Sequence, residues 1–259
     1  MIHLFTIIFY QPLLNLLIFL YDVIPGRDIG IAIILVTVVI RLILYPFSAK
    51  AIKSQKLLQE MQPKIDEMKK TFKDQKEKQA QEMMKIYKEH KINPFSSCLP
   101  LLIQFPFLIA VYQVFRTGLN NGNLDLLYPF VANPGHINTI AFGFLDLGKS
   151  QIILAILAGA AQFWQAKMML AKRPAIRNKD SKDEDMAAIM SKQMVFMMPI
   201  MTVIIGASLP SGLVLYWLVI TVITALQQLL MLKTKNKRKD APPAIAPPAQ
   251  PVIEIKPVE

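Results

Sequence analysis

Hydrophobic and polar positions fall along this chain in long blocks, not in the short rhythms of a soluble domain. Residues 29–47 (IGIAIILVTVVIRLILYPF) are apolar but for Thr37 and Arg41, and about 20 such residues form a helix that crosses a bilayer. Four further blocks read the same way: Cys98 to Phe115, Ile152 to Leu170, Met194 to Ala207, and Leu213 to Leu232. The pattern predicts an all-α membrane protein with five transmembrane helices. The fourth block is short: from Met194 to Leu209 it rises about 24 Å against a hydrocarbon core of ~30 Å, so the bilayer is expected to thin beside it.

Between the first two spans the pattern changes. Over residues 48–93, Leu57, Met61, Ile65, Met68 and Phe72 recur every three or four positions, and Ala80, Met83, Met84 and Tyr87 repeat the stripe after a polar KDQKEK stretch. Two narrow apolar stripes on charged helices predict an antiparallel helical hairpin standing off the membrane, with Pro63 kinking its first arm. A solvated hairpin with no partner fits this pattern equally well. Residues 4–24 are apolar but broken by Gln11, Pro12 and Asn15. They read as an interfacial helix, with a span as the alternative, and no basic region or cleavage site marks a removable signal. The resulting division is 1–28, interfacial helix; 29–47, first span; 48–93, hairpin; 94–232, spans two to five; 233–259, a basic and then Pro-rich disordered tail.

Composition adds a direction. The chain combines 53% hydrophobic residues with a formal charge of +11, and the charge is segregated into loops. Placing the hairpin, the 171–193 loop and the tail in the cytoplasm leaves only Arg27, Arg116 and Lys149 outside, which satisfies the positive-inside rule and puts the C-terminus inside. Such basic loops suit anionic lipid or a ribosome better than a specific nucleic-acid sequence. One cysteine, Cys98, excludes an intrachain disulfide framework. No P-loop, HExxH or nucleophile motif is present, so the sequence supports neither an enzyme nor a metal, cofactor or small-molecule substrate.

The candidate chemistry is intramembrane. Arginine at mid-bilayer costs roughly 2.5–3.5 kcal/mol on insertion scales, so Arg41 should face protein or a wet cavity unless it snorkels to the surface. Thr37 lies one turn before it. Trp217, Thr221, Thr224 and Gln228 follow at offsets of four, three and four, forming a polar stripe on the fifth span. With Gln104, Gln162 and Gln165 these groups could line a hydrophilic indentation. Met194, Met197, Met198 and Met201 on the fourth span, with Met190 before them, form a thioether surface suited to varied apolar shapes, core packing and lipid contact being the plainer readings.

Several stretches in order carry a resemblance: TVVIRLILYP, LQEMQPKIDEM, QEMMKIYKEHKINPFSSCLPLLIQFPFLIAVY and PSGLVLYW. Across about residues 9–232 the chain resembles the YidC/Oxa/Albino membrane protein insertases. The resemblance implies a five-helix core around a hydrophilic groove open to cytoplasm and lipid, with Arg41 as groove arginine, Thr37 beside it, and Tyr216 and Trp217 as the aromatic pair of the last helix. It implies nascent membrane-protein clients, a bacterial cytoplasmic membrane location, and partners that include the ribosome and the Sec translocon. Against the larger bacterial members of that family, the sequence leads one to expect neither an N-terminal anchor nor a large extracytoplasmic domain. A small anion transporter or channel is the rival from another class; it explains Arg41 but not the hairpin or the methionines.

Overall fold

The computed structural model describes residues 2–72, 75–89, 99–118, 124–169 and 195–239, and these are mostly helical. Helix α1 (His3–Val23) is continuous through a π-helical turn at Thr6–Tyr10. After the Pro25–Asp28 connection come α2 (Ile29–Ile43), α3 (Tyr45–Thr71), α4 (Lys76–Glu89), α5 (Leu99–Gln113), α6 (Ile152–Met169), α7 (Val195–Gly206) and α8 (Ser211–Lys239). The loop before α6 folds into a two-stranded antiparallel hairpin, β1 (Ile140–Ala141) and β2 (Leu145–Asp146), pairing Ile140 with Asp146 and Ala141 with Leu145. Its turn places Phe142 at φ +54° and Gly143 at φ +79°, the left-handed pair that a tight hairpin turn requires.

Among the described residues two helices are long and apolar enough to cross a membrane, His3–Val23 and Ser211–Met231; α2 with the start of α3 makes a third if that bent pair is one span, and Ile152–Met168 and Val195–Gly206 are shorter apolar helices. The first span ends earlier than its apolar pattern suggests. Helix α2 stops at Ile43, and Tyr45–Gln62 leaves it at 69°. Pro46, at the second position of α3, explains the break: lacking an N–H and clashing with the carbonyl four residues back, it suits the first turn of a new helix and not the middle of an old one.

Helix α8 is the central post. Residues 211–216 are all buried, as expected of a helix end apolar on every side, and α8 packs most extensively on α6 and next on α2. The core joins Leu13, Leu14, Leu17 and Ile18 of α1 to Ile33, Val36 and Ile40 of α2, Val111 and Val114 of the α5 segment, and Leu213 to Tyr216 of α8. An apolar cavity of about 20 Å³ remains among Leu13, Leu17, Ile33, Val36, Val111, Val114, Phe115 and Tyr216.

In the cytoplasmic-hairpin candidate, Ile65 and Met68 are buried and α3 contacts α4. Along α4, Met83 and Tyr87 are half-buried while Ala80 and Met84 are exposed, so the inward stripe is narrower than the sequence pattern suggested. Helix α3 runs unbroken past position 63. The basic stretch KTKNKRK continues α8 as helix to Lys239; lysine and arginine are good helix formers, and their charge complements a helix C-terminus. Residues 240–259 of the expected disordered tail lie outside the described residues.

Candidate functional site: a lightly partnered arginine in the bundle

Asp28 starts the helix that carries the site. Its Oδ1 accepts from the N–H groups of Gly30 (2.7 Å) and Ile31 (3.1 Å), an N-cap that satisfies two otherwise orphaned donors. From there the helix rises about 18 Å to Arg41, at 1.5 Å per residue. Arg41 lies in the last turn of α2, where the helix dipole favours a cation. Its Nη2 donates to the backbone carbonyl of Ile220 on α8 (3.2 Å), whereas Nε is buried without a hydrogen-bond partner. Among the described residues no carboxylate pairs with Arg41. A guanidinium carries five N–H donors, so most of its capacity is unspent.

The polar residues expected around it divide into groups. Thr37 is fully buried and donates to the carbonyl of Ile33 (2.7 Å). Thr221 donates to Trp217 O (2.7 Å) and Thr224 to Ile220 O (2.6 Å). Each hydroxyl thus satisfies its own donor within its helix, the usual arrangement of threonine in an apolar helix, and keeps its oxygen as an acceptor. Ile220 O therefore accepts from both Thr224 and Arg41. Trp217 is half-buried on the same helix. Tyr216 is buried against the small apolar cavity, its hydroxyl accepting from Gln104 Nε2; this pair ties α5 to α8.

Gln162 belongs to a different junction. Its Oε1 accepts from Thr202 Oγ1 (2.6 Å), joining α6 to α7. Gln165 is half-buried on α6, and among the described residues no hydrogen bond joins either glutamine to Arg41. Met197, Met198 and Met201 are exposed on α7, together with Phe196, Ile200 and Ile204; Met194 lies outside the described residues. This face is available to lipid or to an apolar client.

Two polar features were missed in the sequence. Ser48, one turn past the α2–α3 bend, pairs with Gln227 of α8: Ser48 Oγ lies 3.0 Å from Gln227 Nε2 and 3.3 Å from its Oε1. Gln228 beside it is 3% exposed, and its Oε1 has no partner. Adjacent glutamines near the end of an apolar block were the available signal for the pair. On the opposite end Asn15 donates to Leu126 O (3.1 Å) and accepts from Tyr128 N (2.6 Å), Gln11 also donates to Leu126 O (3.0 Å), and Tyr21 Oη accepts from Asn138 N (3.0 Å). No local spacing in the sequence links residues more than 110 positions apart.

Residues 19–239 match the family model described as 60Kd inner membrane protein. The chain belongs to that family. Relatives in it include a protein named membrane protein insertase YidC from Clostridium tetani, 36% identical over 84% of this chain and 89% of the relative. Another of that name, from Fusobacterium nucleatum, is 32% identical over 80% of this chain and 87% of the relative. The insertase of Actinobacillus pleuropneumoniae is 36% identical over 88% of this chain, but the match spans only 37% of that longer protein. The family is one of bacterial inner-membrane insertases, not of enzymes.

Proposed function

We propose that this insertase moves polar segments of nascent membrane proteins past Arg41 while their apolar helices leave along α7 into lipid. The observation that carries the reading is the guanidinium itself, held in the last turn of an apolar helix and bonded, among the described residues, to the backbone carbonyl of Ile220. A client carboxylate arriving there meets unspent donors. Two unit charges 4 Å apart gain about 1 kcal/mol in water but roughly 4 kcal/mol at an effective dielectric of 20, and a membrane potential of 100 mV supplies about 2.3 kcal/mol per charge to release the bound segment.

The architecture proposed with it has five spans: α2, α5, α6, α7 and α8. The α3–α4 hairpin and the C-terminus face the cytoplasm, where their basic residues receive clients beside anionic lipid, the ribosome or the Sec translocon. In this arrangement α1 lies in the outer interface. What supports that placement is the way Gln11, Asn15 and Tyr21 bond along the 124–149 loop, because irregular backbone is not tolerated in lipid-exposed hydrocarbon. Leu13 and Leu17, packed with Ile33 and Val36 of α2, then close the bundle from outside. The anion-transporter alternative draws no support from relatives named as insertases.

The test is insertion into reconstituted vesicles of a single-span client with an acidic translocated tail. Arg41→Ala should slow insertion by about tenfold or more, matching the loss of a partly desolvated ion pair, and Arg41→Lys should keep most of the activity. Equal rates for wild type and Arg41→Ala would sink the role given to the guanidinium.

A further inference from the structure

Four bulky apolar residues stand out from the 124–149 loop: Phe144 is 82% and Phe130 76% exposed, and Ile140 and Phe142 are also exposed. Phe144 projects from the tight turn between β1 and β2, while Phe142, its ring centroid 6.5 Å from that of Phe144, rests its ring tip against α2 and leaves 40% of its surface exposed. The hairpin that carries them is fastened to two helix starts. The Phe142 N–H donates to Asp28 Oδ2, the N-cap of α2. A Cβ on Gly30, in the first turn of α2, would lie 2.6 Å from Ala141 Cβ and 2.9 Å from the Phe142 ring, so glycine alone lets the hairpin seat there. On the other flank Gly212 N donates to Leu147 O (3.0 Å), and Ser211 donates to Lys149 O through both its N–H (3.0 Å) and its hydroxyl (2.6 Å).

These bonds set the hairpin's depth. Because α2 and α8 are apolar from their first turns, a hairpin clipped to both N-termini sits at the plane where the hydrocarbon begins. Aromatic side chains are enriched at that plane, since their rings suit the boundary between chains and headgroups. Two exposed cations lie near the same helix starts: Lys149, 80% exposed, whose carbonyl Ser211 holds at the start of α8, and Arg27, 59% exposed, two residues before α2; their carboxylate partners, Asp146 and Asp22, leave most of each side chain open. Both can reach lipid phosphates. We infer that the β1–β2 hairpin is a lipid anchor, its Phe144 ring inserted among the upper acyl chains of the outer leaflet and the exposed edge of Phe142 beside it.

The inference rests on the proposed orientation only for the choice of leaflet, and one experiment separates the two. In a Cys98→Ser background, Phe144→Cys is spin-labelled in vesicles of 3:1 phosphatidylcholine and phosphatidylglycerol at high dilution, with Lys85→Cys on α4 as the aqueous reference. Power saturation should show the label at 144 at least fivefold less accessible to a water-soluble nickel chelate than that at 85, and more accessible to oxygen. An equal ratio of the two accessibilities at both positions would place Phe144 in water and overturn the anchor. Loss of access to both reagents, with spin–spin broadening, would assign the patch to a second copy and overturn it too. In inverted membrane vesicles an impermeant maleimide should block Lys85→Cys and spare Lys149→Cys, a water-exposed position on the same loop as the hairpin. Depth of residue 144 in lipid together with labelling of both 85 and 149 keeps the anchor and refutes the orientation.

Discussion

Removing the Asp28 carboxylate should release the β1–β2 hairpin from α2 without unfolding the bundle. In the folded protein this side chain caps α2 through Gly30 and Ile31 and also holds the Phe142 N–H. Loss of an N-cap costs roughly 0.5–2 kcal/mol. The bond to Phe142 is charge-assisted but solvent-exposed, so water partly replaces it and its loss costs about 1.5 kcal/mol, at the low end for such bonds. Only this second bond holds the hairpin, so Asp28→Ala should raise the open population of residues 140–148 by roughly tenfold, at 1.4 kcal/mol per tenfold. The assay is amide hydrogen exchange of the protein in nanodiscs. Faster exchange should be confined to the first turn of α2 and the hairpin, with α6 and the later turns of α8 unchanged. Asp28→Asn caps as well as aspartate but has one oxygen for three donors, so it should protect α2 and loosen the hairpin. If Asp28→Ala quickens α2 alone, the carboxylate does not hold the hairpin, and the argument for its depth loses one of its two fastenings.

Gly212→Ala would set a Cβ 2.2 Å from Phe115 Cε1; overpacking of this kind costs about 1–3 kcal/mol, so the thermal midpoint should fall, and Phe115→Leu in the same chain should recover part of the loss. Thr202→Val strands the Gln162 Oε1 acceptor between α6 and α7 and should cost roughly 1–3 kcal/mol, read as a lower unfolding midpoint; an unchanged midpoint would mean that this hydrogen bond is not formed in the bilayer. Lys149, hydrogen-bonded at 3.1 Å, holds the Asp146 carboxyl below the usual carboxylate range, aided by the N–H of Gly148 and the hydroxyl of Thr139. Its folded pKa being depressed, Asp146 contributes stability above the unfolded value of about 3.9 and loses it as pH falls through the lower folded value. The midpoint difference between wild type and Asp146→Asn should therefore shrink below about pH 4, and a constant difference from pH 6 to 3 would exclude the linkage.

The pattern of apolar blocks located the helices and Arg41, because a run long enough to span and a charge inside it are local properties of the sequence. The same pattern extended α2 to Phe47, where Pro46 ends it after Ile43, a case in which backbone chemistry overrides hydropathy. Spacing set Thr37 beside Arg41, polarity added Gln162, and the family resemblance added Tyr216. In the fold Thr37 is satisfied within α2, Gln162 serves the α6–α7 junction, and Tyr216, which bonds Gln104, lies within electrostatic reach of Arg41. Periodicity says which residues share a helix face, but not which helix that face meets. The bonds of Asn15, Tyr21 and Asp28 to the 124–149 loop were illegible for the same reason. They join partners separated by more than 110 residues, and only the bundle brings them together.

The bend at Leu44 makes α3 a lever. Twenty-seven residues extend it about 40 Å from that pivot, at 1.5 Å per residue. A 10° swing would carry its far end through roughly 7 Å while Ser48, a single turn out, travels only about 1 Å. The clasp with Gln227 can therefore survive wide excursions of the tip, and whatever docks at the tip acts on a fulcrum one helical turn from Arg41.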